Sequence, residues 1–183
     1  MSLMKQVILL GRGGQGAVTS SRVLAIAAFE DGKFSQAFPN FGVERMGAPV
    51  RSYARIDKEF INLRDQVYEA DYAIVLDATL LDGFHETVTD TIIVNSNKDP
   101  KELKFKTNAK VRCVDITKVA LEVIGKPFVN VAALGAFAAI TGEVSLKGLD
   151  KAVQQQMGSK GPIVEKNLEA VKKVYELAGG KIK

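Results

Sequence analysis

The sequence predicts an α/β fold: a three-layer sandwich with a mostly parallel sheet that opens on a Rossmann-like βαβ unit. Short apolar runs rich in Val and Ile recur along the first two thirds of the 183 residues, and such runs are typical of buried parallel strands. The first run leads through a glycine-rich turn into an apolar helix and a second strand, which is the order of a βαβ unit. The length favours a single domain over residues 4–183, with Met1–Leu3 interpreted as a cloning scar.

Six strands are predicted in chain order, each from a short apolar run. The first ends at Gly11, and the fourth carries an acidic residue at each end. A turn at Asp57-Lys58 favours a hairpin that pairs the third strand with Phe60–Leu63. The predicted strands are Lys5–Leu10, Phe34–Phe38, Val50–Ile56, Asp71–Asp77, Thr91–Asn95 and Lys110–Val114.

Five helices are predicted from apolar faces and from residues that begin or end helices. The first is followed by Asp31-Gly32, the second has Asp115 as its N-cap, and the last begins at Pro162, which suits a first helical turn. The third is apolar on nearly every side, so we expect it to be buried against the domain or a partner. The predicted helices are Ala17–Glu30, Ile116–Ile124, Val131–Ile140, Leu146–Gln156 and Pro162–Ala178.

Composition excludes several classes of protein. With one cysteine and one histidine, the chain alone can form no intramolecular disulfide and cannot supply the ligands of an iron–sulfur cluster or a structural zinc site. A formal net charge of +4 is too small to indicate nucleic-acid binding. No apolar run approaches the ~20 residues of a membrane span. We therefore expect a cytoplasmic protein with no metal site, no nucleic-acid partner and no membrane partner.

The most informative local motif is the glycine loop Gly11-Arg12-Gly13-Gly14-Gln15-Gly16, which satisfies G-x-G-x-x-G between a strand and a helix. Glycines allow a sharp turn, and the helix N-terminus offers free N–H groups and a partial positive charge. Arg12 adds a side-chain donor, so the loop favours a phosphate or a carboxylate. The alternative is a tight turn that only packs the strand against the helix.

A dinucleotide site is less favoured by this sequence. Such a site has an acidic residue about 20 residues after the loop, at the end of the second strand. Asp31 has that spacing but precedes the second strand, which ends at Phe38-Pro39-Asn40 without an acid.

A second unusual segment, Phe38–Val50, has no periodicity and follows the second predicted strand. That position lies near the carboxyl ends of strands, where ligands bind in α/β sheets. We expect the segment to face either a ligand cleft or a partner protein. Its candidate residues are Phe41, Gly42, Glu44, Arg45 and Gly47.

The remaining reactive side chains form no complete catalytic set. His85 is interpreted as a surface residue and Cys113 as a core thiol. Asp77 is interpreted as a helix cap, with a role in a site as the alternative.

Further motifs accompany the glycine loop and form a specific set over about residues 5–176. They are Gly11–Thr19, Gly32–Pro39, Phe41–Val50, Asp77–Leu81, Ile93–Ser96, Gly125–Asn130 and Lys166–Val171. Together they resemble the gamma subunit of 2-oxoacid:ferredoxin oxidoreductases, and most of all its pyruvate branch, pyruvate synthase. The set is far more specific than the glycine loop alone.

The resemblance implies a subunit that has no catalytic centre of its own. Enzymes of this family oxidatively decarboxylate pyruvate or a related 2-oxoacid on thiamine diphosphate, pass electrons through iron–sulfur clusters to ferredoxin, and form an acyl-CoA. The resemblance implies alpha, beta and delta partner subunits that hold the thiamine diphosphate, Mg and [4Fe-4S] clusters. It also implies that the gamma subunit helps to bind or enclose coenzyme A, which makes the glycine loop and the five Phe38–Val50 candidates its expected binding residues.

Two alternatives stay open at this point. The chain could be a self-contained Rossmann-like nucleotide-binding protein or oxidoreductase, which would bind NAD or FAD alone. Separated from its partners, a subunit could also self-associate through the surface meant for them.

Overall fold

The computed structural model describes residues 4–40, 46–158 and 161–182. Six strands, five α-helices and two 3₁₀-helices, Ala78–Gly83 and Pro100–Glu102, make up the described fold. The strands are β1 (Lys5–Arg12), β2 (Phe34–Pro39), β3 (Pro49–Asp57), β4 (Glu69–Val75), β5 (Thr87–Asn95) and β6 (Lys110–Val114). The helices are α1 (Ala17–Glu30), α2 (Ile116–Val123), α3 (Val129–Thr141), α4 (Leu146–Met157) and α5 (Pro162–Leu177).

The predicted elements are present, with one exception. Phe60–Leu63 forms no strand, so the predicted hairpin after β3 is wrong. The reason is the strand order: β4, the next strand along the chain, lies beyond β1, and the connection must cross the sheet to reach it. The interpretation of Met1–Leu3 falls outside the described residues.

The six strands form one sheet in the order β2-β3-β1-β4-β5-β6. Strands β1, β4, β5 and β6 pair in parallel, and β3 pairs antiparallel with both β1 and β2. Five strands therefore run in one direction, which confirms an α/β fold with a mostly parallel sheet. The two strands of the opening βαβ unit, β1 and β2, are parallel but not adjacent, because β3 lies between them.

The two faces of the sheet are covered differently. Alternation along β1 sends Val7 and Leu9 into a core with all five α-helices, whereas Ile8 and Leu10 join a smaller core on the opposite face. That opposite face is covered by Leu80 and Leu81 of a 3₁₀-helix and by side chains of connecting segments. One outer layer of the sandwich is therefore helical, and the other is thin and largely irregular.

Helix α3 is the centre of the helical layer. Every residue from Val129 to Ala138 except Asn130 is buried, as the apolar pattern predicts. Phe137 packs edge to face on Tyr72 of β4, with ring centroids 5.6 Å apart. On the other side, Gly135 faces the backbone of α5 so closely that an added Cβ would lie 2.2 Å from the Val171 carbonyl oxygen. Helix α3 thus lies between the sheet and α5, as part of this domain's own core.

Candidate functional site

The carboxyl ends of β1, β4 and β5 meet at one edge of the sheet, and the glycine loop lies there. The loop continues the pairing of β1 with β3, because the Gly13 N–H donates to the Ala48 carbonyl at 2.8 Å and the Gly47 N–H donates to the Gly13 carbonyl at 3.1 Å. Gln15 folds back, and its Oε1 accepts a hydrogen bond from the Arg12 N–H at 2.7 Å. The loop is therefore held in one shape by its own chain.

Arg12 is bound to the protein itself, which changes the role predicted for it. Its Nε donates to Asp77 Oδ2 at 2.9 Å, one Nη donates to Thr79 Oγ1 at 2.7 Å and the other to the Gly47 carbonyl at 3.1 Å. Three of its five N–H bonds are thus used to join the glycine loop to the end of β4. The geometry supports a clamp rather than a free donor for an anion.

Asp77 holds the other half of this clamp. Its Oδ1 accepts from both the N–H and the hydroxyl of Thr79, which caps the first 3₁₀-helix as predicted. Burial alone would raise the pKa of the Asp77 carboxyl, but the hydrogen bonds from Thr79 and the Arg12 guanidinium outweigh it and lower this pKa. The carboxylate is therefore ionised and committed to Arg12 and Thr79.

Two clefts flank the glycine loop. The smaller, of about 400 Å³, lies between the loop and the residues around the start of β3, with Arg12, Met46 and Val50 in its walls. The larger, of about 600 Å³, opens on the other side, between the loop and the first turns of α3 and α5. Gly14 and Gly16 border both clefts and have φ angles of +92° and +82°, which favour glycine. A Cβ at Gly16 would lie 2.5 Å from Asn130 Nδ2, so glycine is also needed there for space.

The larger cleft, called here the helix-end cleft, is where several helices begin. Within the described residues, three of the five helices have no side-chain cap at the N-terminus: α1 after Gly16, α3 after Phe128 and α5 after Gly161. Residues from the first turns of all three line the cleft, among them Thr19, Asn130 and Ile163. Uncapped first turns leave N–H donors and a partial positive charge for a ligand, chiefly at α1 and α3. In α5, Pro162 has no N–H, and the N–H groups of Val164 and Glu165 donate to the Gly161 carbonyl.

The two remaining helices, α2 and α4, do have side-chain caps at their N-termini. The side chain of Asp115 caps α2, and that of Ser145 caps α4. Neither α1 nor α3 carries an acidic residue in its first turn, whereas α5 carries Glu165 there. Lys126 lies just before α3, with its Nζ 5.7 Å from the centre of the Phe128 ring. The cleft is therefore suited to an anion.

Two asparagines add neutral hydrogen-bonding groups to the helix-end cleft. Asn167 is 2% exposed, and its Nδ2 donates to the Ile163 carbonyl at 2.8 Å. Its Oδ1 is buried and has no partner among the described residues. An unpaired buried acceptor is costly, so this atom calls for a donor on a ligand or a water. The sequence analysis did not assign Asn130 or Asn167, although both lie in the motifs Gly125–Asn130 and Lys166–Val171.

A third asparagine fixes the frame of this edge. Asn95, at the end of β5, accepts hydrogen bonds from the N–H groups of Ile116 and Thr117, each at 3.1 Å. Its Nδ2 donates to the Leu76 carbonyl at 3.0 Å and to the Thr117 hydroxyl at 2.9 Å. One side chain therefore joins the ends of β4 and β5 to the start of α2.

The acidic residue that a dinucleotide site requires after its second strand is not found beside the glycine loop among the described residues. With β3 between β1 and β2, the end of β2 is separated from the glycine loop by a whole strand. Asp31, the acid with suitable spacing, accepts from the Ser145 N–H at 2.6 Å and lies at the start of α4 instead. Neither feature offers a carboxylate to a ribose beside the loop.

The other predicted residues are placed as follows. His85 is exposed, as predicted, and Cys113 is half-buried at the edge of the smaller core, where burial raises the pKa of its thiol. Phe41, Gly42, Glu44 and Arg45 lie outside the described residues. Over residues 4–40, 46–158 and 161–182, no group of three or more His, Cys, Asp or Glu side chains could hold a metal ion. No helix in those ranges is long and apolar enough to cross a membrane.

The fold and the cleft define the class of protein. It is an α/β domain with a cleft suited to an anion at the carboxyl edge of its sheet. The family model of pyruvate ferredoxin/flavodoxin oxidoreductase matches residues 6–177. Pyruvate synthase subunit PorC of Methanosarcina barkeri is 53% identical over 155 residues, which cover 82% of this chain and 85% of that protein. The pyruvate/ketoisovalerate oxidoreductases common subunit gamma of Pyrococcus furiosus is 43% identical over 180 residues, covering 94% and 96%.

A solved structure agrees with these relatives. The crystal structure of the pyruvate oxidoreductase subunit PORC from Thermotoga maritima superposes with a TM-score of 0.84 at 34% identity, and covers 95% of this chain and 96% of that one. The chain belongs to the pyruvate ferredoxin/flavodoxin oxidoreductase family, as a gamma-type subunit of a 2-oxoacid oxidoreductase complex. The resemblance stated from the sequence motifs is confirmed.

Proposed function

We propose that this subunit binds the phosphate-bearing part of coenzyme A in the helix-end cleft, and so supports oxidative decarboxylation of pyruvate or a related 2-oxoacid to an acyl-CoA with reduction of ferredoxin. The observation that carries the proposal is the convergence of two uncapped helix N-termini, those of α1 and α3, on one cleft, with the start of α5 beside them. Coenzyme A is anionic at its phosphates and also carries amide and hydroxyl donors. Such a donor would satisfy Asn167 Oδ1 beside the phosphate.

The proposal assigns the other steps to partner subunits. The thiamine diphosphate, Mg and [4Fe-4S] clusters would lie in the alpha, beta and delta subunits, with ferredoxin as the acceptor of the whole complex. The single cysteine of this chain supports that division, because a cluster needs several thiolates. This chain's residues would bind and orient coenzyme A. The glycine loop is the central element, and Phe41, Gly42, Glu44, Arg45 and Gly47 are carried forward as candidates.

The choice of 2-oxoacid is proposed to reside in the partners. The Pyrococcus relative is a common subunit of pyruvate and ketoisovalerate oxidoreductases, which supports a gamma subunit that serves more than one substrate. Pyruvate and branched-chain 2-oxoacids are therefore the substrates to compare.

A charge placed at the start of α1 tests coenzyme A binding. Thr19 lines the cleft in the first turn of α1. Thr19→Asp adds a negative charge that favours the helix but repels a phosphate, whereas Thr19→Asn has the same shape without the charge. In the co-expressed complex, we expect the KM for coenzyme A to rise about tenfold or more in Thr19→Asp, which corresponds to ~1.4 kcal/mol. Thr19→Asn should stay within about twofold of wild type.

Two results would contradict this proposal. One is an equal KM for coenzyme A in Thr19→Asp and Thr19→Asn, with both complexes intact. The other is saturable binding of NAD or FAD by the chain alone, which would favour a self-contained nucleotide-binding protein. The thermal midpoint of Thr19→Asp provides the folding control, since an acidic residue at this helix position should not lower it.

A further inference from the structure

A third cleft lies on the thinly covered face of the sheet. It has a volume of about 530 Å³ and is bordered by β2, β3 and the segment 63–66. Phe38 and Tyr53 form an aromatic wall, with ring centroids 5.4 Å apart. We call it the Arg55 cleft, because that side chain lines it and is only 1% exposed.

Within the described residues, Arg55 is a buried cation whose hydrogen-bond partners are all uncharged. It lies in a row across three strands, paired with Gln6 of β1 on one side and Gln36 of β2 on the other. Its Nε donates to Gln6 Oε1 at 3.1 Å, and one Nη donates to the Leu63 carbonyl at 3.3 Å and to Gln36 Oε1 at 3.4 Å. The other Nη donates to the Asp65 carbonyl.

The charge of Arg55 is therefore not matched by a bound carboxylate within the part of the chain that the structure describes. The Asp65 carboxylate acts on the Arg55 guanidinium only at longer range. The Arg55 Nη that donates to the Asp65 carbonyl has a second N–H, and this N–H has no acceptor among those residues. Buried charges in proteins are paired as a rule. The central carbon of the guanidinium also lies 4.8 Å from the centre of the Phe38 ring, and both side chains line the cleft.

The surroundings of the cleft indicate that the anion comes with a protein segment. Arg64 stands exposed on the rim and adds a second positive charge, so that the two arginines outnumber the one acidic residue of the lining, Asp65. Strand β2 is the last strand of the sheet, and no described strand pairs with its outer edge. Beside it, Phe34 and Phe60 form an exposed aromatic pair, with ring centroids 5.9 Å apart. A free strand edge and exposed aromatic rings are features of surfaces that other chains cover.

We propose that the Arg55 cleft docks an extended acidic segment of another subunit of the oxidoreductase complex, with an Asp or Glu carboxylate on Arg55 and its main chain along β2. Charge complementarity selects an acidic partner, and the aromatic wall accommodates apolar side chains of the same segment. The inference rests on membership of a multi-subunit complex and is independent of coenzyme A binding in the helix-end cleft.

An internal competitor tests the proposal. Gln36→Glu keeps the shape of the side chain and places a carboxylate 3.4 Å from the guanidinium, where it would compete with the partner's acid. Arg64→Glu reverses the charge on the rim without touching the core. The matched controls are Gln154→Glu and Lys147→Glu, which make the same changes at exposed positions of α4 on the opposite face. In the co-expressed complex, we expect the dissociation constant of the chain to rise about tenfold for the two cleft variants and less than twofold for the controls.

A cross-link identifies the occupant. A photo-reactive amino acid at Leu63, on the rim of the cleft, should capture a peptide of another subunit that contains Asp or Glu. Normal association of Gln36→Glu and Arg64→Glu, both with wild-type thermal midpoints, would overturn the proposal. A cross-link only to a second copy of this chain, or to a segment without an acidic residue, would overturn it too. Complexes that still form with Gln36→Glu should keep the wild-type KM for coenzyme A, which separates this outcome from failure of the coenzyme A proposal.

Discussion

Replacing Gly135 by alanine should push α3 and α5 apart. The added Cβ would lie 2.2 Å from the Val171 carbonyl oxygen, 3.0 Å from its carbonyl carbon and 3.1 Å from the Tyr175 nitrogen. All three atoms belong to the backbone of α5, so no side chain can rotate away. Ordinary contact begins at 3.4 Å, and the two helices would have to separate by about 1 Å along a buried interface.

The expected loss combines two opposing effects. Overpacking a buried contact costs about 1–3 kcal/mol, and the backbone clash places Gly135→Ala at the upper end of that range. Alanine returns about 1 kcal/mol through its higher helix propensity. The net loss in the free energy of unfolding is about 2 kcal/mol, which lowers the melting temperature by about 4–8 °C for a chain of this length.

Urea unfolding followed by circular dichroism measures this loss. The matched control is Gly83→Ala, because no atom lies within 4 Å of its added Cβ and its φ lies outside the left-handed region. We expect the control to stay within about 0.5 kcal/mol of wild type. If the free energy of unfolding of Gly135→Ala also stays within about 0.5 kcal/mol of wild type, α3 and α5 do not pack as closely at Gly135 as the reasoning requires.

The remaining predictions concern the edge of the sheet that carries the glycine loop. Asp77→Asn should destabilise the chain at pH 6, and the difference should shrink as the pH falls toward 3. The reason is that the folded pKa of Asp77 lies below its ordinary value of 3.8, so its stabilisation is present above that pH and is lost as the pH falls through the folded pKa. Urea unfolding of both proteins at the two pH values checks this, and a difference independent of pH would refute it. Asn95→Ala should cost about 2–4 kcal/mol, since it removes the side-chain hydrogen bonds to Leu76, Ile116 and Thr117 and leaves buried groups unpaired. Asn108→Ala, an exposed control in the turn before β6, should be neutral, and a loss below about 0.5 kcal/mol for Asn95→Ala would contradict the role of Asn95.

Local patterns predicted most of the fold, because the elements differ in period and in the residues that end them. The limits of α1 and β6 agree with the prediction, and Asp115 caps α2 as its residue type suggests. The hairpin at Phe60–Leu63 was wrong for a physical reason. Strand order depends on which apolar faces pack together, and β1 takes the place beside β3 that a hairpin strand would occupy. Nor does the sequence reveal that all five helices cover one face.

The site was predictable where it is local. The glycine loop could be found because its six residues carry a strand end, a turn and a helix start within one motif. Asn130 and Asn167 were not assigned, since they meet the loop only after more than a hundred residues have folded around it. Arg12 could not be recognised as a clamp, because Asp77 and Thr79 come from another strand end.

The burial of α3 has a consequence for how the chain is made. All six strands are synthesised before α3 and α5, which complete the cover on the helical face of the sheet. At translation rates of about 5–20 residues per second, the roughly sixty residues between the end of β6 and the end of α5 take several seconds to emerge. During that interval the apolar side chains of Leu9, Ile74 and Ile93 are not yet covered by α3 and α5. We therefore expect a chain that ends before Val129 to expose the apolar face of its sheet and to aggregate, rather than to fold as a smaller stable domain.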